Sequence, residues 1–262
     1  MEYKSLFERI EKDHPECFNR NSLIFGNITD NLQKRMYWQM NDIINELKSD
    51  TEGINTLQLA LNGPRLIRAC IDYKISHSDR QLEEIIKTLT NINLDIFRTS
   101  KVDADNLENV RRKIIGSRDA ELLYTLNHQD RDKTSWISSN PSFSKVSSDR
   151  LQDYSLGGNI LFIALGQGGI APGMDVFLRY THNLKTNNSL FYPVRFSKHK
   201  FNDKQPRLTK NEENYLKDSS DSRRIIIFDE DICSGSTINQ ATNYFQSLMK
   251  RNDIIPIVNC SN

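Results

Sequence analysis

Three consecutive acids, Asp229, Glu230 and Asp231, stand shortly before a loop of small residues. Carboxylates accept hydrogen bonds from hydroxyl groups and can help to hold Mg²⁺. Small side chains in the loop let backbone N–H groups approach an anion, and a glycine permits positive φ. The residues of the loop are Ser234, Gly235, Ser236 and Thr237. This combination predicts a site that receives a sugar phosphate.

The acids and the loop need a strand before them and a helix after them. Residues 225–228 form an unbroken apolar run, which is typical of a central parallel strand covered on both faces. A helix is predicted over residues 237–249, and its N-terminal end favours phosphate. Ligands of open α/β sheets bind beyond the carboxyl ends of the strands, where the acids and the loop are expected. The competing interpretation is a core strand followed by an ordinary helix cap at Ser236 or Thr237.

A second strand–turn–helix segment supports the first. An apolar strand predicted over residues 159–165 runs into a glycine turn, and a helix follows as far as residue 184. The turn consists of Gly166, Gln167, Gly168 and Gly169. Pro172 is tolerated in a first helical turn, which places the start of the helix near Ile170. The glycines suit a pyrophosphate group, although such a turn can also serve only to pack a helix against a strand.

Cations gather at the end of a third strand, predicted over residues 190–196. Arg195 offers a bidentate fork for phosphate oxygens and Lys198 offers a point charge, so this pair could stabilise a leaving pyrophosphate. The polar stretch of residues 201–208 follows and has the composition of a mobile loop. The alternative interpretation is a solvated basic turn.

The apolar strand, the acids and the Ser-Gly-Ser-Thr loop together resemble the phosphoribosyl pyrophosphate (PRPP) motif of the type I phosphoribosyltransferases. The resemblance implies an α/β domain with a parallel sheet over residues 147–262. It implies that Asp229 and Glu230 reach the ribose hydroxyls of PRPP and that the small-residue loop binds the 5′-phosphate. The glycine turn and Lys198, with Arg195, are expected to stabilise the pyrophosphate.

An enzyme of this family would transfer the 5-phosphoribosyl group of PRPP to a nitrogen acceptor, a nucleobase or an amine, and release pyrophosphate. The resemblance implies that Mg²⁺ binds with PRPP at Asp229 and Glu230. Two features depart from the usual family pattern. The second acid is Glu230, for which Asp231 could substitute, and Cys233 stands where some purine-salvage members carry a carboxylate base. The second departure weakens the case for a 6-oxopurine acceptor.

Other functions are compatible with the same residues. A fold and a donor site do not by themselves establish a reaction, so a non-catalytic regulatory protein that senses PRPP or a nucleotide is the main alternative. A phosphate-binding receiver domain built around the acids fits less well. In a receiver, the acidic pair should follow the first strand, whereas the acids of this chain stand late.

The first half of the chain carries helical patterns and no recognised motif. Helices are predicted over residues 27–47, 65–73, 79–89, 106–115 and 119–126, with a break at Gly63-Pro64 and an N-cap at Ser78. A polar stretch over residues 128–153 marks a domain boundary. We therefore expect an all-helical region over residues 1–130 before the α/β domain. The resembling family recognises its acceptor with a variable hood, and the helical region is a candidate for that role.

Composition limits the classes of function. The 262 residues include 35 basic and 34 acidic side chains, a formal net charge of +1, so no global attraction to nucleic acid or to an anionic membrane is expected. The four cysteines are widely spaced and form no Cys-x-x-Cys pair, which argues against zinc and against a disulfide framework. No apolar run approaches the length of a membrane span. We expect a cytoplasmic protein with small-molecule substrates, and the resemblance suggests a homodimer.

Overall fold

The computed structural model divides into two compact units. Lys4–Asn140 forms one unit, and Pro141–Asn262 together with Met1–Tyr3 forms the other. The division falls inside the polar stretch that was predicted as a boundary. No helix among the described residues is long and apolar enough to cross a membrane. The structure describes residues 3–18, 39–49, 56–77, 81–125, 137–166, 168–182, 184, 188–196, 203–232 and 235–261.

The elements described in the N-terminal unit are helices. Its α-helices are α1 (Leu6–Asp13), α2 (Met40–Ser49), α3 (Thr56–Ser76), α4 (Glu83–Thr99) and α5 (Ala104–Ile115). Short 3₁₀ helices cover Pro15–Phe18, Ala120–Tyr124 and Ile137–Ser139. The α-helices bury apolar stripes against one another, which is the usual source of helix stability in a folded protein. The helix predicted over residues 106–115 is confirmed, and a 3₁₀ turn replaces the one predicted over residues 119–126.

The break predicted at Gly63-Pro64 is wrong, because α3 continues through both residues. Gly63 lies against α4, where a Cβ atom would overlap Oδ1 of the buried Asn93. Leu66 and Ile67, in the next turn of α3, are fully buried. This packing stabilises the helix against the cost of an internal proline, so tertiary contacts override the local signal.

The helix predicted over residues 79–89 is α4, which begins later and continues to Thr99. It continues because its buried apolar positions recur as far as Phe97. The N-cap predicted at Ser78 lies outside the described residues. So do residues 27–38 of the first predicted helix, while α2 covers the end of that prediction.

The C-terminal unit alternates helices and strands around a parallel sheet. Its helices are α6 (Pro141–Ser155), α7 (Ile170–His182), α8 (Lys210–Ser220) and α9 (Ser236–Met249). Its strands are β1 (Ile160–Gly166), β2 (Leu190–Arg195), β3 (Arg224–Ile232) and β4 (Ile255–Ser261). The four strands lie in the order β2-β1-β3-β4, and each neighbouring pair is parallel. The predicted α/β class is confirmed.

Helices cover both faces of this sheet. On one face, Ile163 of β1 and Ile227 of β3 pack with Leu216 of α8 and Phe245 of α9 in one apolar cluster. Successive residues of a strand point to opposite faces. Odd-numbered residues of β1 and β3 therefore face α8 and α9, and even-numbered residues face α7.

The face toward α7 is aromatic and closely packed. The ring centroid of Phe162 lies 5.2 Å from that of Phe228 and 5.9 Å from that of Phe177. Gly173 of α7 approaches the strands, since a Cβ atom there would lie 3.1 Å from Phe228 and 3.2 Å from Phe162. This contact fixes the position of α7 and of the turn before it relative to β1 and β3.

The helix α6 belongs to the C-terminal unit and contacts β4. The Ser147 hydroxyl donates a hydrogen bond to Oδ1 of Asn259 at 2.7 Å, and Nδ2 of Asn259 donates to the Ser144 hydroxyl at 3.2 Å. Residue 147, the predicted start of the α/β domain, thus lies inside a helix that packs on the sheet.

Candidate functional site

The carboxyl ends of β1, β2 and β3 meet at one edge of the sheet. Gly166, the last residue of β1, pairs with Arg195, the last residue of β2. On its other side, β1 pairs with β3 as far as Ala164 and Phe228. The chain passes from β1 to β2 and then returns to the far side of β1 as β3, so the direction of winding reverses between β1 and β3. Ligands of α/β sheets bind in the crevice at such a switch point.

The acids lie within β3, although the strand was predicted to end at Phe228. β3 runs to Ile232, and Asp229 and Asp231 pair with Val258 and Cys260 of β4. The prediction ended too early because acidic residues are depleted in strands, whereas the ladder with β4 continues to supply backbone partners. The acids are therefore held by a strand and not by a loop.

Alternation along β3 assigns the three acids to two faces, although the carboxyl groups of Asp229 and Glu230 remain close enough to hydrogen-bond. Asp229 and Asp231 share the face of Ile227, toward α8 and α9, whereas Glu230 shares the face of Phe228, toward α7. All three side chains are half-buried. Acidic side chains therefore lie on both faces of β3 at the switch point, which the sequence analysis did not predict.

Among the three acids, Asp229 is the one whose pKa is shifted. The Glu230 N–H donates a hydrogen bond to Asp229 Oδ1 at 3.1 Å. Burial raises the pKa of Asp229 well above its usual range, and the negative charge of Glu230 raises it further. Carboxyl groups that repel each other in this way favour a bound proton or a bound cation. The pair is therefore suited to exchange one for the other.

The glycine turn after β1 is built against Glu230. A Cβ atom on Gly168 would overlap Oε1 of Glu230 and would lie 2.9 Å from Oε2. A Cβ atom on Gly169 would lie 3.5 Å from the same Oε2 and would overlap the carbonyl oxygen of Leu165. The Gly169 N–H donates to that carbonyl at 3.2 Å, and α7 begins at Ile170 as predicted. The turn and the acidic strand thus form one surface.

The loop after β3 ends in a glycine cap. Gly235 is the N-cap of α9 with φ 69°, a left-handed conformation that favours glycine. Its carbonyl oxygen accepts the Asn239 N–H at 3.0 Å, which closes the first helical turn. Ser236 and Thr237 occupy the first two helical positions, so the interpretation that one of them is the N-cap is wrong. The N-terminal end of α9 carries the partial positive charge of the helix dipole, which favours an anion nearby.

Arg195 lies buried at the same edge. Val194 belongs to the cluster on the α8 and α9 face, so Arg195 lies on the opposite face, which it shares with Glu230. The Arg195 carbonyl oxygen accepts the Arg207 N–H at 2.9 Å. A guanidinium at this place adds positive charge to the side of the switch point that carries the glycine turn.

Asp203 is a residue whose role the sequence did not reveal. Its side chain is 1% exposed, and its Oδ1 pairs with Nε of Arg207 at 2.8 Å. The pair lies within the polar stretch of residues 201–208, whose Arg207 pairs with the backbone of Arg195. The spacing of an acid four residues before an arginine was the available signal, but outside a helix this spacing does not predict a contact.

Several predicted site residues lie outside the described part of the chain. They are Gln167, Lys198 and Ser234, together with Cys233. The pairing of Lys198 with Arg195 therefore stays a prediction. Within the described residues, no group of three or more His, Cys, Asp and Glu side chains is arranged to hold a metal ion.

Several groups that can interact with anions or cations lie at the described edge of the sheet. The amides at the start of α9 suit one anionic group, and the glycine turn with Arg195 on the same face suits another. Carboxylates on β3 lie between them and can accept hydroxyl groups or a cation. No protein-family model, no curated protein and no solved structure matches this chain.

Proposed function

We propose that the C-terminal unit binds PRPP and transfers its 5-phosphoribosyl group to a nitrogen acceptor, a nucleobase or an amine, with release of pyrophosphate. One observation carries the proposal: the glycine turn and Glu230 are in contact at the switch point of the sheet. Motifs that are distant in sequence thereby form one surface. A turn that served only for helix packing would not need an acid beside it.

The proposal includes the fold of the type I phosphoribosyltransferases for this unit. Its support is the parallel sheet, with a glycine turn after the first strand and an acidic segment on the third. A receiver domain would carry its acidic pair after the first strand. The acids of this chain lie on β3, which argues against that alternative.

The 5′-phosphate of PRPP is assigned to the start of α9. The helix begins directly after the left-handed Gly235, its N-terminal dipole favours an anion, and Thr237 adds a hydroxyl in the first turn. Ser234 is predicted to complete the loop. Asp229 and Glu230 on β3 are assigned to the ribose hydroxyls, for which carboxylates are strong acceptors.

The pyrophosphate is assigned to the opposite side of the crevice. Gly168 and Gly169 leave room for phosphate oxygens close to the backbone, and α7 directs the positive end of its dipole there. Arg195 supplies a fixed positive charge on this face, and Lys198 is predicted to supply a second. These groups stabilise the charge that develops on the leaving pyrophosphate.

Asp229 and Glu230 fit the Mg²⁺ that this chemistry implies. Mg²⁺ in phosphate sites is bound by one or two carboxylates with water and substrate oxygens, so a third protein ligand is not needed. Their oxygens are of the right type for Mg²⁺, and burial, followed by the negative charge of Glu230, raises the pKa of Asp229. When bound, the ion neutralises negative charge on the pyrophosphate.

The transfer is a displacement at C1 of the ribose. The lone pair of the acceptor nitrogen forms the C1–N bond, the C1–O bond breaks, and its electron pair leaves with pyrophosphate. The acceptor nitrogen then releases its proton. The protein contributes by holding both ends of the donor and by stabilising the charge on the leaving group.

The acceptor site, the compartment and the assembly remain predictions. The helical N-terminal unit is the proposed source of acceptor recognition. A cytoplasmic location is consistent with Cys17 and Cys70, whose thiols are free and buried. A homodimer is expected only from the resemblance.

Calorimetric titration with PRPP and Mg²⁺ tests donor binding. We expect binding by the wild-type protein and a large loss of affinity in Thr237→Ala. Thr242→Ala is the matched control, because Thr242 lies further along α9 and its hydroxyl donates to the Ile238 carbonyl at 2.8 Å. Release of pyrophosphate is then measured with a pool of nucleobases and amines.

The outcomes separate the candidate functions. Loss of binding in Thr237→Ala alone, with pyrophosphate release by the wild type, supports the transferase. Binding without release of pyrophosphate for any acceptor supports the regulatory sensor instead. If the wild-type protein does not bind PRPP, the proposed function is wrong.

A further inference from the structure

The Glu230 carboxylate fills the space in front of the glycine turn. Its Oε2 lies 2.9 Å from the Cβ position of Gly168 and 3.5 Å from that of Gly169, and its Oε1 overlaps the former position. The carboxylate can take this place because Gly168 lacks a side chain, while Gly169 keeps the backbone of the turn close beside it. It is a planar anion, and a phosphate group that approached this turn would need the same space.

The strand determines where this carboxylate lies. Phe228 is fully buried and packs against Gly173 of α7, which fixes the even-numbered face of β3 toward that helix. Glu230 is the next residue on the same face, so its side chain extends toward the N-terminal end of α7. The partial positive charge of a helix N-terminus attracts a carboxylate. The protein thus supplies its own anion to the turn.

We propose that Glu230 is an internal competitor for the anion site of the glycine turn, and that its carboxylate must leave the turn before pyrophosphate or the pyrophosphate end of a ligand can bind there. This inference rests on the proposed function, since it concerns the same crevice. It adds a role that the resemblance does not give to Glu230, which is to limit occupancy of the turn in the absence of the sugar. Sugar hydroxyls give the carboxylate new partners and so favour its departure.

The competing role for Glu230 is permanent support of the turn. The two roles predict different changes in the affinity of the turn for an anion when the charge of Glu230 is removed. If Glu230 competes, removing its charge strengthens the binding of an anion to the turn. If Glu230 supports the turn, removing its charge leaves that binding unchanged or weakens it.

The test is calorimetric titration of the full chain with inorganic pyrophosphate in the absence of divalent cations. We expect Glu230→Gln to bind pyrophosphate at least about tenfold more tightly than the wild type, because a negative charge has been removed from the space that the ligand enters. Unchanged or weaker binding by Glu230→Gln would overturn the inference. So would the absence of binding in every variant.

Asp231→Asn is the matched control for charge. It removes one negative charge from the adjacent residue of the same strand, but Asp231 lies on the face toward α8 and α9. We expect its gain in affinity to be several-fold smaller than that of Glu230→Gln. Equal gains would show that general electrostatic repulsion, and not occupation of the turn, controls binding, and the inference would fail.

A second measurement does not depend on a ligand. We expect Glu230→Gln to shift the amide nitrogen and proton resonances of Gly168 and Gly169 more than Asp231→Asn does. Absence of this difference would contradict the contact itself. Should Glu230→Gln fold poorly, Glu230→Asp replaces it. The shorter carboxylate withdraws from the turn, and we expect pyrophosphate affinity to rise about threefold.

Failure of this inference is distinguishable from failure of the proposed function. PRPP titration with Mg²⁺ reports the proposed function through Thr237, on the other side of the crevice. If PRPP binds but Glu230→Gln gains no affinity for pyrophosphate, the competitor role alone is wrong. If Glu230→Gln gains affinity for pyrophosphate but PRPP does not bind, the turn is an anion site of a protein with another function.

Discussion

The turn after β1 and the loop after β3 both join a strand to a helix at the same edge of the sheet, yet each needs glycine for a different reason. Before α7, Gly168 and Gly169 provide space, because a Cβ atom at either position would overlap Glu230 or the backbone. Before α9, Gly235 provides a conformation, because its φ is 69°. Steric contact therefore requires glycine in the turn before α7, whereas the backbone torsion angle requires it in the loop before α9.

This difference bears on how the two ends of the crevice receive anions. At α9, the left-handed conformation of Gly235 belongs to the backbone itself and involves no contact with an acid. At α7, the chain's own carboxylate lies in the turn, and the proposed competition requires a ligand to displace it. Alanine substitutions distinguish the two requirements. At Gly168 or Gly169 they add a side chain where there is no space, and at Gly235 they place a side chain on a residue with positive φ.

Gly169→Ala should have the largest effect on stability. The new Cβ atom would overlap the carbonyl oxygen of Leu165, which is a backbone atom held in β1. The turn must then deform, and we expect the free energy of unfolding to fall by about 2–3 kcal/mol, as for other overpacked sites. Urea denaturation followed by circular dichroism measures this loss.

Gly168→Ala is the matched control for that substitution. Its Cβ atom would overlap only the end of the Glu230 side chain, which can rotate away. We expect a loss below about 1 kcal/mol. Equal losses of unfolding free energy in the two variants would contradict the steric difference between the two glycines.

Titration of Asp229 should make stability depend on pH. Burial and then the charge of Glu230 raise its pKa in the folded protein above the unfolded value, so the folded state holds this proton more tightly. The resulting stability is fully present below about pH 4, the unfolded pKa, and is lost as the pH rises through the raised folded value. We expect Asp229→Asn to remove this contribution to the dependence of the free energy of unfolding on pH.

Urea denaturation at a series of pH values compares the two proteins. The change should be smaller than the loss in Gly169→Ala, because that substitution forces the backbone of β1 to move. Glu230→Gln, which removes the second cause of the raised pKa, should give an intermediate slope. The same slope in the wild type and in Asp229→Asn would refute this account.

Gly235→Ala should combine a moderate loss of stability with a loss of ligand binding. A non-glycine residue at φ 69° costs about 1 kcal/mol, so the free energy of unfolding should fall by that amount. Distortion of the first turn of α9 should also weaken binding of PRPP in calorimetry.

Gly157→Ala provides the matched control for the torsional effect. Gly157 has φ 71°, and a Cβ atom there would meet nothing within 4 Å. The same loss of about 1 kcal/mol is expected, without a change in PRPP affinity. Comparable loss of binding in both variants would mean that Gly235 acts only through general stability.

The strands of the sheet could be predicted from the sequence because they are buried on both faces. Residues 160–166 and 225–228 are unbroken apolar runs, and such runs need no knowledge of their neighbours to be recognised. The start of α7 could also be predicted from local sequence, since Pro172 favours a first helical turn. The meeting of the turn and the acids at one edge followed from parallel topology.

Features that depend on remote partners could not be predicted. β3 extends through its acids because β4 lies beside it, and α3 continues through Gly63-Pro64 because α4 packs there. The division of the acids between two faces was not recognised either, because it needed the register of the strand. Asp203 is buried and pairs with Arg207, a contact that the sequence did not predict. In each case, tertiary packing decides what local preference leaves open.

The smallest expected effect tests the contact between the two regions directly. In a double-mutant cycle, Gly168→Ala is measured in the wild type and in Glu230→Ala. The carboxylate that the new methyl group displaces is absent from the second background, so the cost of Gly168→Ala should nearly vanish there. The coupling energy should be about 0.5 kcal/mol in urea denaturation, which is at the lower end for residues in contact. An equal cost in both backgrounds would show that Glu230 does not occupy the turn in solution, and the difference between the two glycine turns would then lie in torsion alone.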